Sequence, residues 1–356
     1  MHLRLEPRPQ PSPLLRWLTP PLAVLLTVAA GFLLFALMGY DPVAALTAFF
    51  VSPLTSLYGL AELGVKATPL VLIATGLAMG FRAGVWNIGA EGQLTLGAIC
   101  AGGVALAFAG SEWPLQLPLM MLAGIAGGMA WAAIPAFLKV RFDVNEILVS
   151  LMLTYVGTLL LSFLVYGPWK DPAGFNFPQT RMFDMAGTLP VILDGTRLHA
   201  GALVALLVVM GAWLIGSRTL FGFSIRLVGA APAAARYAGF STKRMVWVTL
   251  LAGGGLAGLA GTFEVAGPIG QLVPVISPGY GFTAIIVAFL GRLHAGGILM
   301  AGLVVALSYI GGENAQIEVG LPQAVTGVFQ GMLLFFLLAT DVLVNWRLRL
   351  ERPAAG

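Results

Sequence analysis

Charged residues are scarce in this sequence. Asp, Glu, Lys and Arg make up only 10% of its 356 residues, against roughly 25% in an ordinary soluble domain. A water-exposed protein of this length could not cover its surface with so few charges. Hydrophobic residues instead reach 58% and occur in long runs, the first at residues 21–39. Because a helix needs about 20 apolar residues to cross the hydrocarbon layer of a bilayer, we predict an integral membrane protein.

Cysteine, clustered histidine and a nucleotide-binding loop are lacking as well. The single cysteine, Cys100, excludes an intramolecular disulfide and a cysteine-based zinc site. The histidines, His2, His199 and His294, are too scattered to predict a metal site or a catalytic triad. A P-loop needs Gly-Lys-Ser/Thr, and no lysine of this chain stands in that context. We therefore expect neither an enzyme nor a bound cofactor or metal.

Ten apolar runs between polar breaks predict ten transmembrane helices. The runs lie near residues 22–40, 63–81, 88–110, 117–138, 145–166, 199–216, 245–266, 279–291, 295–311 and 322–344. No low-complexity linker divides the chain into separate domains. The predicted fold class is therefore an all-α membrane protein, with residues 1–356 forming a single transmembrane domain.

The distribution of positive charge predicts the orientation. If the N-terminus is cytoplasmic, fifteen of the 19 Lys and Arg residues, the last of them Arg352, fall in cytoplasmic segments. The others lie outside: Lys66, Lys170, Arg181 and Arg197. This bias is what the positive-inside rule predicts for ten spans with both termini cytoplasmic. It also accounts for the net charge of +4, so the predicted partner is a lipid bilayer and not nucleic acid.

Two long loops and an internal repeat follow from this topology. Residues 167–198 form the predicted extracytoplasmic loop, and residues 217–244 form the predicted cytoplasmic loop. Ten spans divide into five plus five, and an odd number per half means that related halves are oppositely oriented. We therefore expect two inverted five-helix halves, although we find no convincing sequence match between them.

Glycine-rich motifs predict close helix packing. Residues 124–128 (Gly-Ile-Ala-Gly-Gly) and 254–258 (Gly-Gly-Leu-Ala-Gly) fit the small-xxx-small pattern, which lets helix backbones approach closely in lipid. The motifs serve either packing within this chain or a dimer interface, and we favour packing within the chain.

A polar segment at residues 80–93 separates two apolar runs, with the sequence Gly-Phe-Arg-Ala-Gly-Val-Trp-Asn-Ile-Gly-Ala-Glu-Gly-Gln. It brings Arg82, Asn87, Glu91 and Gln93 to membrane depth, where polar groups are costly unless they are paired or line a wet cavity. Two interpretations stay open. Either the side chains cap the following helix and Arg82 pairs with Glu91, or they line a solute path.

A second segment, residues 226–239, lies in the predicted cytoplasmic loop. Pro232 suits the first position of a helix and Gly239 suits the position just past its end, so a short Ala-rich helix is predicted between them. Such a helix either joins two spans at the surface or docks into a soluble partner. We favour docking, because a simple connection has little need of so regular a helix.

Three motifs together resemble one known family. They are Phe-Arg-x-Gly-x-x-Asn-Ile-Gly-x-Glu-Gly-Gln at 81–93, Asn145-Glu146 followed by Leu-Met-Leu-Thr-Tyr at 151–155, and Gly-x-x-Pro-x-Ala-Ala-Arg-Tyr-Ala-Gly at 229–239. They are similar to motifs in the permeases of ABC importers for nucleosides and related simple sugars, which are served by basic-membrane-lipoprotein-type binding proteins. The resemblance departs at Ala231, where the family pattern has Asn. Because Asn caps a helix better than Ala by about 1 kcal/mol, we expect a looser helix start.

The resemblance implies a transport subunit and not an enzyme, with ATP hydrolysed by a separate ATPase subunit. The residues that it implies for the solute path or its motif are Arg82, Trp86, Asn87, Glu91, Gln93, Asn145 and Glu146. The residues that it implies for a coupling helix that docks on the ATPase are Arg226, Gly229, Pro232, Arg236, Tyr237 and Gly239.

The same resemblance implies further partners and a location. They are a second, non-identical permease, an extracytoplasmic solute-binding lipoprotein and the bacterial inner membrane. The alternative is an ion-coupled secondary transporter, with Glu91 or Glu264 as its proton or sodium site. A membrane enzyme fits least, because the sequence has no clustered acidic or metal site. The solute itself stays open, since the binding protein largely sets specificity in such importers.

Overall fold

The computed structural model describes residues 2–8, 12–111 and 113–351. Arg352, counted above among the cytoplasmic charges, lies outside the described residues. The helices within them are α1 (Pro13–Leu37), α2 (Pro42–Phe50), α3 (Leu57–Arg82), α4 (Ala90–Ala107), α5 (Gln116–Phe142), α6 (Glu146–Tyr166), α7 (Gly201–Arg218), α8 (Leu220–Ala230), α9 (Pro232–Tyr237), α10 (Thr242–Glu264), α11 (Tyr280–Leu290), α12 (Ala295–Glu318) and α13 (Gln323–Asn345). One pair of strands accompanies them, β1 (His2–Pro7) and β2 (Trp346–Glu351).

Eight helices in the described part of the chain are long and apolar enough to cross a membrane. They are α3 to α7, α10 with the π-helical turn that extends it to Ile269, α12 and α13. The all-α prediction is confirmed, and eight of the ten predicted spans match these helices. The first predicted span falls on α1, which has 25 residues and contains the shorter apolar stretch Pro21–Leu37.

The helix at the predicted span 279–291 is too short to cross a membrane by itself. α11 has only 11 residues there, or about 16 Å of helix, against about 30 Å of hydrocarbon. The segment before it is irregular because Pro274 and Pro278 lack an N–H group. Gly270 and Gly279 adopt positive φ angles of 73° and 99°, which an α-helix does not accommodate. Helical structure therefore resumes only at Tyr280.

Two short helices lie in stretches that the sequence analysis left as loops. α2 begins after Asp41, whose Oδ1 accepts the N–H of Val43 at 2.9 Å. α8 begins after Thr219, whose hydroxyl accepts the N–H of Gly222 at 3.1 Å. Asp41 and Thr219 are therefore N-cap residues. Their side-chain oxygens accept backbone N–H groups that the first turn of a helix leaves without a partner. The short helix predicted after Ala231 is confirmed as α9.

One compact unit comprises residues 1–60 and 307–356. Its core is aromatic, since the buried ring of Phe329 in α13 lies 5.3 Å from that of Phe35 in α1 and 4.3 Å from that of Phe49 in α2. The N–H of Ser12 donates to the carbonyl of Val344 at 3.1 Å, and β1 pairs with β2 in antiparallel fashion. The start of α1 and the end of α13 therefore lie side by side.

The other compact unit, residues 61–306, is centred on α4, α5 and α10. Glycines bring these helices into backbone contact. A Cβ atom on Gly258 of α10 would lie under 3.0 Å from the carbonyl oxygen of Gly124 in α5, and one on Gly97 of α4 would lie equally close to Gly258. Both glycine-rich motifs thus pack within the chain, as favoured above. This packed core positions the start of α4, where the first motif lies, and Asn87 of that motif lies against Gly253 in the middle of α10.

Candidate functional site

The break between α3 and α4, at residues 83–89, is closed by a pair of side-chain amides. Asn87 Nδ2 donates to Gln93 Oε1 at 2.8 Å, and Gln93 Nε2 donates to Asn87 Oδ1 at 3.0 Å. The N–H of Gly89 donates to the same Asn87 oxygen at 3.1 Å. Both side chains are buried. Their polar atoms therefore stabilise the irregular backbone between the two helices.

Glu91 joins the N-terminal ends of two helices. It lies in the first turn of α4, and its Oε2 accepts the N–H of Gly281, in the first turn of α11, at 2.6 Å. Ser277 and the N–H of Gly279 also form hydrogen bonds with Glu91. A Cβ atom on Gly281 would overlap the backbone of Glu91, so the two helix ends meet at their closest approach. A carboxylate suits this place because both helix dipoles have their positive ends there.

The start of α6 contains the second motif and packs against the same break. Asn145 is the N-cap residue, and its Oδ1 accepts the N–H two residues further on at 2.9 Å. Glu146 is buried, and its carboxylate lies 3.4 Å from Lys139 Nζ and accepts the N–H of Trp86 at 3.5 Å. Ser150 accepts another N–H of the break at 3.3 Å. The first and second motifs are therefore one site in space.

Arg82 does not form the ion pair with Glu91 that the sequence analysis considered. Glu91 faces α11, whereas Arg82, the last residue of α3, lies close enough to Arg226 of α8 for the two charges to repel. The backbone explains this position, because a Cβ atom on Gly229 would overlap the carbonyl of Arg82. α8 thus packs directly on the end of α3, and the third motif touches the first.

Trp86 presents an aromatic surface beside this break. Its side chain is 41% exposed. The indole stacks on Phe289 of α11 with ring centroids 5.6 Å apart, and the Phe81 ring lies 5.1 Å away on α3. Among the residues predicted for the solute path, Trp86 therefore combines exposure with a rigid aromatic support.

The geometry of α9 follows the sequence closely. Pro232 is its first residue, and Ala231 before it provides no side-chain cap, as expected for the departure from Asn. Gly239 ends the turn with a φ of 85°, a left-handed conformation that glycine adopts without strain. The N–H of Gly239 donates to the carbonyl of Arg236 at 3.1 Å. The helix is therefore short and sharply bounded at its C-terminal end.

The outer face of α9 is uncovered. Ala235 is fully buried in a cluster that includes Val85 and Val228, and it anchors the helix on the rest of the chain. Arg236 is exposed, and Tyr237 is 98% exposed. An aromatic side chain with no cover at all, next to a free guanidinium on an anchored helix, has the form of a protein-binding surface.

Sequence reasoning missed the part that α11 plays in the site. Ser277 was not connected with Glu91, and the glycines before and within α11 were not singled out. A signal was present in Ser277-Pro-Gly279 ahead of an unusually short apolar run, because paired short or Gly/Pro-interrupted spans often mark transporter sites.

A second polar cluster was also missed, in the predicted extracytoplasmic region. Arg197 donates to the Glu62 carboxylate through Nε at 2.9 Å and through Nη2 at 2.5 Å. Nearby His199 is buried and its Nδ1 accepts the N–H of Gly201 at 3.2 Å. Burial lowers the pKa of His199 to about 4, although Glu62 acts in the opposite direction. The imidazole is therefore neutral at pH 7, and it fixes the start of α7.

Comparison with known proteins gives a family and several relatives. The family model described as branched-chain amino acid transport system, permease component, matches residues 59–338. A glucose ABC transporter permease protein of Haloferax volcanii is 38% identical over 100% of this chain and 96% of its own length. A guanosine ABC transporter permease protein of Bacillus subtilis is 32% identical over 91% of this chain and 93% of its own. A second guanosine permease protein of Bacillus subtilis is 29% identical over 69% and 80%, respectively.

Proposed function

Because this chain belongs to the family of ABC transporter permease components, we propose that it forms the membrane path of an ATP-driven importer for a nucleoside or a related simple sugar. The chain is a multi-pass transport subunit and not an enzyme. ATP is hydrolysed by a separate subunit of such a transporter. Its relatives supply the solute class, since one is named for glucose and another for guanosine.

One contact supports the coupling mechanism above all others. Gly229 of α8 lies against the carbonyl of Arg82, at the edge of the α3–α4 break, and α9 begins three residues after Gly229 in the chain. A displacement of α9 by a docked ATPase would therefore press on the break through backbone atoms alone. The break contains Trp86 and leads to Glu91, which in turn binds the first turn of α11. ATPase movement thereby reaches both helix ends of the proposed path.

The aromatic surface at the break suits the proposed solutes. Nucleobases and the apolar faces of sugars pack on aromatic rings, which also hold one orientation of the solute. Trp86 is exposed and supported by Phe81 and Phe289. We therefore assign solute contact to Trp86, while Asn87, Gln93 and Glu91 maintain the backbone that presents it.

The order of long and short helices supports two related halves. The series α1 to α6 runs long, short, then four longer helices. The series from α7 follows this order if α8 and α9 together take the short place, except that α11, in the place of α4, has only 11 residues. α4 and α11 then occupy corresponding places, and their N-terminal ends meet at Glu91. In inverted-repeat transporters the solute site lies at such a meeting of interrupted helices.

We also propose a paired permease and a cytoplasmic orientation of both termini. Two guanosine permease proteins of one organism are similar to this chain, which favours a heterodimer of non-identical permeases. An extracytoplasmic lipoprotein would deliver the solute. Since one relative comes from Haloferax volcanii, we assign the chain to the cell membrane of a prokaryote and leave the bacterial inner membrane as the narrower proposal.

Uptake measurements test the solute class and the energy source. Cells expressing this chain with its importer partners are expected to accumulate radiolabelled guanosine or glucose, to stop on ATP depletion and to continue after addition of an uncoupler. Trp86→Ala is expected to lower uptake about tenfold, because a stacking contact of about 1.5 kcal/mol is lost. Trp113→Ala is the matched control, since Trp113 is 38% exposed and stacks on Phe108 elsewhere. Uptake that stops with the uncoupler and survives ATP depletion would instead establish the ion-coupled alternative.

Cysteine labelling tests the orientation. In a chain with Cys100→Ser, a single cysteine replaces either Leu220, which is 82% exposed, or Met185, which is 92% exposed. Because the charge distribution puts residues 217–244 inside, a membrane-impermeant thiol reagent added to intact cells should label only position 185. Opening the cells should then expose position 220 to the reagent. Labelling of position 220 in intact cells would contradict the proposed topology.

A further inference from the structure

A cavity lies between α3, α7, α8 and the start of α12. Its empty space measures about 640 Å³, which includes open solvent at its mouth. Most of its lining is apolar. The polar side chains that reach it are Thr75, Arg82, Ser217, Arg226 and His294. None of these belongs to the contacts by which the break, α6 and α11 hold one another.

The Asp, Glu, Lys and Arg side chains that line this cavity are all positively charged. Arg82 and Arg226 both line it and repel each other, and no Asp or Glu is among the lining residues. Arg226 Nη1 donates to the carbonyl of Gly216 at 2.7 Å. Within the described residues the side chain of Arg82 has no hydrogen bond or ion pair. Two facing guanidinium groups in a partly closed, largely apolar space are stabilised by an anion that bridges them.

Thr75 gives a second and independent indication of a ligand. Its side chain is only 2% exposed, yet Oγ1 has no hydrogen-bond partner. It precedes Arg82 by seven residues, which places both on the same face of α3. Buried hydroxyl groups are nearly always hydrogen-bonded. A ligand oxygen in the cavity would satisfy Thr75 while its charge lies between the two arginines.

We infer that this cavity binds the phosphate headgroup of an anionic phospholipid. Arginine suits a phosphate because its planar fork holds two oxygens at once. The neighbouring surface of α7 suits acyl chains, since Leu207, Met210 and Leu214 are 60%, 53% and 45% exposed. Trp213, in the cavity wall and 42% exposed, matches the preference of tryptophan for the headgroup level. The proposed topology assigns this lipid to the cytoplasmic leaflet, and only the leaflet depends on it.

Native mass spectrometry of the delipidated transporter in a neutral detergent tests the inference. Phosphatidylglycerol is expected to bind at least tenfold more tightly than phosphatidylcholine. Arg82→Gln combined with Arg226→Gln should remove that preference. Arg244→Gln is the matched control, because Arg244 is an exposed arginine outside the cavity, and it should bind like the wild type. The measurement is of lipid binding and not of uptake, so a failure of the proposed transport function does not affect it.

Three outcomes would overturn the inference. Equal binding of both lipids by the wild type would do so without any variant. Retention of the preference by the double variant, with an unchanged melting temperature, would show that the arginines do not hold the headgroup. Full displacement of phosphatidylglycerol by millimolar inorganic phosphate would assign the site to free phosphate and not to lipid. If the double variant fails to fold, Thr75→Val provides the second test, and it should weaken phosphatidylglycerol binding about fivefold and leave phosphatidylcholine unchanged.

Discussion

Gly258→Ala is expected to destabilise the transporter by about 3 kcal/mol or more and to deplete it from the membrane. The added methyl group would lie under 3.0 Å from the carbonyl oxygen of Gly124. That neighbour is backbone and cannot turn aside as a flexible side chain would. α5 and α10 would have to separate, and Gly97 of α4, which packs on Gly258 from another direction, would lose its contact as well.

Gly211→Ala is the matched control for this change. Gly211 lies in α7, and a Cβ atom there meets no atom within 4 Å. Alanine favours a helix over glycine by about 1 kcal/mol, so this variant should accumulate at least as well as the wild type. Membrane abundance and the melting temperature of the purified complex measure both variants. A Gly258→Ala protein with wild-type abundance and melting temperature would refute the close backbone packing of the three helices.

Arg236→Ala is expected to lower solute uptake more than tenfold while the permease still accumulates normally. Arg236 is exposed on α9, beside Tyr237 and next to the buried anchor Ala235. Its guanidinium can hold a carboxylate or carbonyl groups of the ATPase by two hydrogen bonds. Truncating one partner of a buried hydrogen-bonded charge pair at an interface typically costs about 2–5 kcal/mol. Since the fold does not use this side chain, the loss should fall on docking.

Two measurements separate docking from folding in this variant. Co-purification should show that the ATPase dissociates from the Arg236→Ala permease, and immunoblotting of membranes should show unchanged permease abundance. Arg218→Ala removes an equally exposed arginine from the end of α7 and should retain uptake. Normal transport by the Arg236→Ala variant, or failure of that variant to accumulate in the membrane, would contradict the proposed coupling role of Arg236.

The helices of this fold could be predicted largely from composition. Apolar runs are long where a helix must cross lipid, and Pro232 and Gly239 mark helix ends by their own backbone preferences. The apolar-run criterion failed at α11. An apolar run indicates that a segment is buried in lipid or protein, but it does not show how much of that segment is helical. Pro278 and Gly279 were the local signals that such a run begins late. α2 and α8 were missed because their apolar stretches are too short to predict a membrane span.

The site could be predicted only in outline. The structure brings the three motif segments together at the α3–α4 break, and their functional roles stay predictions. The hydrogen-bond partner of Glu91 could not be predicted from the sequence. Gly281 lies 190 residues away in the chain and contributes only a backbone N–H. Arg82 was paired with Glu91 by proximity in the chain, whereas its actual neighbour Arg226 carries the same charge. Such long-range contacts depend on helix packing, which cannot be predicted by inspecting a single sequence.

The backbone contacts among α4, α5 and α10 also limit how this transporter can move. Helices that interdigitate through long side chains can slide when rotamers change, but Gly97, Gly124 and Gly258 have no rotamers to change. We therefore expect the three helices to move as one rigid body during transport. We expect bending at the joints where regular structure stops, at residues 83–89, at residues 270–279 and at Ala231. In this view, the solute path opens and closes by rotation at these joints, while α4, α5 and α10 keep their positions relative to one another.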